Sequence, residues 1–164
     1  MDTAPQVIPL QELGEGTYGK VDLVIYDGEL LVRKQFKGSY DLTEAYALTM
    51  LQGAGGTPLI KGVIQKPLTV FMSYCGTLTL EHFLEGNPSS DEVMQVLAQL
   101  CVRVGELHAM TLVHLDLKEN NVMLQYTDEG GLEVNIIDMG LAALPGQCIP
   151  FQEVDLDRVP WMCP

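Results

Sequence analysis

The sequence predicts an α+β chain of two lobes: a complete β-rich lobe over residues 1–74, then the first part of a helical lobe over residues 75–164. Two observations predict it. Before residue 75, apolar and polar side chains alternate in short runs separated by turn residues, the period of half-buried strands. After residue 88, apolar residues recur at steps of three and four, the period of a helix with one buried face.

The elements follow in order. Val21, Leu23 and Ile25 alternate with Asp22, Val24 and Tyr26. Asp27-Gly28 then marks a hairpin turn, and residues 30–36 form the return strand. Residues 41–51 read as a short helix that Asp41 can cap, with Glu44 three positions on. A glycine-rich break over 53–58 is followed by strands at 59–65 and 68–74, joined at Lys66-Pro67. Ser89 and Glu92 are spaced as a capping box, and Val93, Val96, Leu97, Leu100, Val104 and Leu107 continue from it as one apolar stripe. Two short strands, 122–125 and 133–137, flank a turn at 128–131, and residues 138–164 read as loop with four prolines.

Composition narrows the function classes. Nine Lys and Arg against 22 Asp and Glu leave a formal charge of −13, the wrong sign for neutralising nucleic-acid phosphates. Hydrophobic residues at 47% and charged residues at 19% are globular proportions, which excludes disorder throughout. No apolar run approaches the ~18 residues of a membrane span. The start, MDTAPQVIPL, lacks the basic and apolar regions of a signal peptide, so a cytoplasmic location is expected. Cys75, Cys101, Cys148 and Cys163 form no C-x-x-C pair, so neither a zinc site nor a disulfide framework is expected.

Five local signals carry chemistry. Gly14-Glu15-Gly16-Thr17-Tyr18-Gly19-Lys20-Val21 is a G-x-G-x-x-G-x-V string, and glycines without Cβ atoms let a backbone approach phosphate oxygens. A strand and hairpin follow it rather than a helix, which favours a β-turn-β flap. Lys34 shares strand parity with Val32, so an inward ammonium there needs anionic partners; a surface lysine beside Arg33 and Lys37 is the competing reading. Glu44 is the candidate carboxylate partner, unless it only completes the helix cap. The most specific signal is His114-Leu115-Asp116-Leu117-Lys118-Glu119-Asn120-Asn121 between two apolar segments. In it Asp116 could accept a hydroxyl proton, Lys118 could offset phosphate charge, and the Asn121 carbonyl suits Mg²⁺. Last, Asp138 ends an apolar strand and precedes Met139-Gly140, a place from which a carboxylate can reach a metal ion.

In this order the five signals resemble the protein kinase catalytic domain, and Lys118 two residues after Asp116 resembles its serine/threonine branch. The resemblance runs from Leu10 to Pro164. It implies a protein-kinase-like two-lobe fold, an ATP-dependent protein kinase activity with ATP and Mg²⁺ as cofactors, and a protein substrate. Carried over by residue, Gly14, Gly16 and Gly19 would cover the phosphates with Val21 above the adenine. Lys34, paired to Glu44, would hold the α- and β-phosphates. Met72 would be the gatekeeper, Tyr74 and Cys75 would receive adenine through their backbone, and Met123 would floor the pocket. Asn121 and Asp138 would hold Mg²⁺, Asp116 would orient the substrate hydroxyl, and Lys118 would act beside it in catalysis.

Departures from the pattern refine the expectation. Leu115 stands where the family has an arginine that pairs with a phosphorylated loop, and residues 138–164 contain no Ser, Thr or Tyr. Together these imply activity independent of activation-loop phosphorylation. Val32 adds two methyl groups where the family prefers alanine, which narrows the adenine pocket. Residues 161–164 resemble the family's A-P-E segment stopped before its glutamate. A truncated catalytic domain is therefore expected, with its apolar helix stripe left open, either poorly stable alone or completed by a partner that covers the patch. The acidic balance could attract a basic substrate. Two other readings compete: a non-catalytic ATP-binding or scaffolding module of pseudokinase type, and a small-molecule phosphotransferase of the kinase-like group.

Overall fold

In the computed structural model, residues 6–15, 19–37 and 42–147 are described. Strands β1 (Val7–Glu15), β2 (Gly19–Tyr26) and β3 (Glu29–Phe36) form an antiparallel meander. The two-residue turn between β2 and β3 has positive φ at both positions, 49° at Asp27 and 82° at Gly28. That is the backbone of a type I′ turn, whose twist matches the flanking strands and which an Asp-Gly pair tolerates. The turn sets the register, opposing Asp22 to Arg33, Val21 to Lys34 and Leu23 to Val32. Helix α1 (Thr43–Leu51) follows, then a single 3-10 turn over Ala54–Gly56, then β4 (Ile60–Gln65) and β5 (Leu68–Ser73). The completed sheet runs β1-β2-β3-β5-β4.

The helix expected over 41–51 begins at Thr43, with Leu42 as its N-cap and no side chain capping it. Asp41 lies outside the described residues. Glu44 is not used as a cap; it turns inward, 5% exposed, for a reason given below. Ala47, Leu48 and Leu51 of α1 join Val70 and Met72 of β5 with Leu107, Leu112, Ile136 and Met139 in one apolar cluster, so the core runs through both halves of the chain. On the opposite side of the sheet, Val24, Leu31 and Phe71 form a smaller cluster with Tyr26 packed on Phe71 at 4.9 Å between ring centroids.

The second half comprises β6 (Leu78–Thr79), α2 (Leu80–Glu85), α3 (Ser90–Ala109), β7 (Val122–Tyr126) and β8 (Leu132–Ile136), the strands ordered β6-β7-β8. The capping box at the start of α3 is present in both directions between Ser89 and Glu92. Its apolar stripe buries Val96 and Leu107 and half-buries Val93, Leu100 and Val104, but Leu97 is exposed. At 100° per residue, Leu97 stands about 60° from the centre of the arc these residues define, and no neighbour among the described residues buries it.

Polar side chains of α3 tie it to β8 and, at one point, to the first half of the chain. Gln99 donates to Leu132 O at 2.7 Å and Arg103 Nε to Val134 O at 3.0 Å. Glu106 Oε2, itself paired with Arg103, accepts from the backbone N–H of Gly55 at 2.8 Å. The chain therefore has the two-lobed α+β architecture that the sequence predicts.

Candidate functional site

Strand parity and one loop build the site. Lys34 faces inward from β3, and its Nζ lies 2.5 Å from Glu44 Oε2 on α1 and 3.6 Å from Asp138 Oδ1. Burial works against the charge on Lys34, yet the two carboxylates outweigh it and hold the ammonium above its ordinary pKa. The surface-lysine reading is thereby excluded. Arg33, of opposite parity, pairs instead with its cross-strand neighbour Asp22 at 2.7 Å.

Residues 114–121 are locked from within. Asn121 Nδ2 donates to Asp116 O at 2.8 Å and to Asp116 Oδ2 at 3.1 Å, and Lys118 Nζ donates to that same Oδ2 at 2.9 Å. The loop is joined to the end of β8 by Ile137 N–H donating to Asn121 O at 2.9 Å. At this loop and the strand end beside it, two non-glycine residues adopt left-handed backbone, Leu115 at φ 64° and Asp138 at φ 62°. Such conformations persist where the surroundings over-determine them, and here they turn the loop and bring the Asp138 carboxylate toward Lys34.

His114, 5% exposed, is the bolt between these pieces. Its Nε2 lies 3.0 Å from Ile137 O, and its Nδ1 accepts from the backbone N–H of Asp116 at 3.2 Å. This pattern requires a neutral ring with its proton on Nε2. Burial pushes the His114 pKa down, only partly countered by the Ile137 carbonyl. A second proton would set Nδ1–H against the Asp116 N–H. Since the folded pKa lies below the unfolded value of 6.5, the stability from this group is fully present above pH 6.5 and is lost as pH falls below it. Urea denaturation from pH 8 to pH 5.5 is expected to show a loss below 6.5 of up to about 1.4 kcal/mol per pH unit, flattened in His114→Gln.

The cleft between the sheet and the loop has a volume of about 450 Å³. Of the predicted residues, Gly14, Val21, Lys34, Glu44, Met72, Tyr74, Cys75, Asn121, Met123 and Asp138 line it. Gly16 lies outside the described residues. Gly19 does not line the cleft: a Cβ there would sit 2.2 Å from Gln35 O, so its need for glycine is set by the close approach of β3. Asp116 and Lys118 stand beside the cleft lining, joined to it through Asn121. The sequence reading did not assign Thr77, Thr79, His82 and Asn120, which also line the cleft. Thr79 is the N-cap of α2 and bonds His82, a Thr-x-x-His spacing that could have signalled the helix start.

The residues fit a nucleotide triphosphate with a divalent ion. A Cβ on Gly14 would meet nothing within 4 Å, so the cleft is open against that backbone. Asn121, its amide nitrogen engaged by Asp116, retains its carbonyl oxygen. The Asp138 carboxylate is 45% exposed. These two hard oxygen donors are too few to enclose a cation, and among the described residues no group of three or more His, Cys, Asp or Glu is placed to do so. Mg²⁺ is ordinarily held by one or two protein oxygens together with phosphate oxygens, which matches the donor set.

Cys75 lines the same cleft. Burial, aided by the negative charge of Glu133, pushes its thiol up to about 11, whereas Cys101 is exposed on α3. Since the thiolate is the reactive form, peptide mapping after brief iodoacetamide treatment at pH 7.5 is expected to find Cys101 alkylated well before Cys75.

A β-sheet lobe set over a helical half, with a lysine held between a helix carboxylate and a strand-end aspartate in the cleft, defines a kinase-type phosphotransferase. The family model for the protein kinase domain matches residues 8–162. The chain belongs to the protein kinase domain family, whose activity is phosphate transfer to proteins and whose members generally use ATP and Mg²⁺. Among the described residues, no helix is long and apolar enough to cross a membrane.

Proposed function

We propose that this chain transfers the γ-phosphate of ATP to a Ser or Thr hydroxyl of a protein substrate, with lobes divided near residues 74 and 75, and that it does so in the cytosol. The observation that carries the reading is the reach of Lys34 to both Glu44 and Asp138 across a cleft that Asn121 also lines. Bound Mg²⁺ would neutralise charge on the phosphate oxygens; Asn121 and Asp138 are the residues that would hold it. Lys34 offsets the charge of the α- and β-phosphates, and Glu44 keeps it oriented. Asp116 accepts the proton of the attacking hydroxyl at its carboxylate, while Lys118, already on Oδ2, holds that carboxylate in place and faces the transferred group. The remaining work is positioning.

Two finer points belong to this reading. Activity is independent of activation-loop phosphorylation, because Leu115 has no cationic group to pair with a phosphate and residues 138–164 offer no hydroxyl to phosphorylate. The substrate is basic: Glu81 and Glu119, next in sequence to the cleft-lining His82 and Asn120, are exposed with no salt-bridge partner among the described residues. The alternative of a non-catalytic ATP-binding module is favoured by Val32, whose added bulk lines the cleft.

Incubation with Mg·ATP and a generic basic protein tests the assignment. Phosphate is expected on Ser or Thr, with Asp116→Asn lowering the rate by about 10²- to 10⁴-fold. Prior phosphatase treatment is expected to leave the rate unchanged. ATP binding without transfer would establish the non-catalytic alternative, and equal transfer by the variant would remove Asp116 from the mechanism.

A further inference from the structure

We infer that Phe36 is the positioning residue of Lys34, its ring face serving as a third partner that holds the ammonium toward the phosphates; the inference deepens the nucleotide reading given above and rests on it. Lys34 Nζ lies over the Phe36 ring, 5.4 Å from its centroid. An ammonium within about 6 Å of an aromatic centroid is drawn to the negative face of the ring. The placement follows from strand parity, because Phe36 stands two residues after Lys34 and on the same side of β3.

Two contacts keep the ring in place. As the last residue of β3, Phe36 pairs with Gly19 of β2, where a Cβ would lie 3.2 Å from Phe36 Cα, so the strands close tightly at that point. Its half-buried side chain packs against the apolar cluster that includes Ala47 and Leu48 of α1 and Met139.

This third partner differs in chemistry from the other two. Burial works against the charge on Lys34. An aliphatic side chain at position 36 would add to that burial and return no attraction. A further carboxylate would hold the ammonium but repel the phosphates. The ring attracts the cation and carries no net charge. Asp138, 3.6 Å from Lys34, is also a residue that would hold Mg²⁺, so Glu44 and Phe36 are the partners of Lys34 with no second task.

Replacing Phe36 in the full chain by mono-, di- and trifluorinated phenylalanine tests this, because fluorine draws negative charge off the ring face while the volume changes little. Affinity for Mg·ATP is expected to fall stepwise, by about 2- to 30-fold at the end of the series, with the KM of the protein substrate unchanged. Phe36→Leu, which removes the face altogether, is expected to fall at least as far. A readout free of nucleotide runs beside it: trace acetylation near about pH 9 with peptide mapping. Lys34 is expected to react faster along the series by about 2- to 30-fold, as the ring loses its hold on the charged, unreactive form. Affinity or acetylation that stays level across the series would overturn the inference, since fluorination spares a role in packing. A parent that binds no Mg·ATP would instead overturn the phosphotransfer reading, and the acetylation series then decides alone whether the ring holds the ammonium.

Discussion

Lys34→Met is expected to lower phosphate transfer by at least about 10²- to 10³-fold, the usual cost of removing one preorganised group from developing charge. Among the described residues, Lys34 is the one cation in contact with both Glu44 and Asp138, and no other Lys or Arg lines the cleft. The substitution also leaves Glu44 buried without its partner. Breaking a buried pair from one side costs about 3–5 kcal/mol when the remaining charge persists. Burial already raises the Glu44 pKa, against the pull of Lys34, so in the variant the carboxyl will take up a proton instead. Its folded pKa then stands further above the unfolded value of 4.5, and the folded state binds more protons between the two. Stability of Lys34→Met should accordingly fall as pH rises through that window. Transfer assays, with urea denaturation of variant and parent at pH 5 and pH 8, check both parts. A stability difference between variant and parent that is the same at the two values, or transfer of phosphate at the wild-type rate, would show that the pair does not have this role.

Gly56→Ala should be among the most damaging single-methyl changes, because it combines a left-handed backbone with a clash against another strand's backbone. The residue has φ of 66°, and an added Cβ would lie 2.7 Å from both Val134 O and Asn135 Oδ1 and 3.0 Å from Asn135 Cα. The left-handed backbone costs a residue with a Cβ about 1–2 kcal/mol. Overpacking against a backbone carbonyl in a buried strand adds about 1–3 kcal/mol, because that atom cannot rotate away. A loss of about 3 kcal/mol corresponds to a melting temperature lowered by roughly 6–12 °C for a chain of this size. Differential scanning fluorimetry provides the measurement. Gly105→Ala on the open face of α3 is the control and should leave the melt near that of the parent.

What could be read from the sequence was local. The turn at Asp27-Gly28 requires two residues that accept positive φ, and once it is placed, two-residue closure pairs each position of β2 with one of β3. The Asp22–Arg33 contact follows from that register, although the sequence reading named Arg33 only as a neighbour of Lys34. The capping box was legible because four consecutive residues make both of its bonds. The inward lysine and the polar loop at 114–121 were legible because parity and composition conflict there with simple packing.

The rest depended on distant partners. Helix α2 has six residues, too few for a period to emerge, and Leu80 and Phe83 are held by Val96, Val122 and Leu124 from other elements. Leu97 belongs to the stripe by spacing, but its exposure is decided by how far neighbouring elements extend. Nothing local to Gly19 separates a glycine facing phosphate from one pressed against Gln35 O. The bond from Glu106 to Gly55 joins residues 51 positions apart, and no spacing rule anticipates it.

That last bond has a consequence for biosynthesis. On a ribosome the N-terminal meander can pair its strands as soon as they emerge, but its orientation over the future catalytic groove has no support until the segment bearing Glu106 follows it out of the exit tunnel. At roughly 5–20 residues added per second, several seconds pass in which a nascent sheet carries an unfinished apolar underside. Holdase chaperones would find their target in that interval, and ribosome stalling between codons 60 and 100 would prolong it.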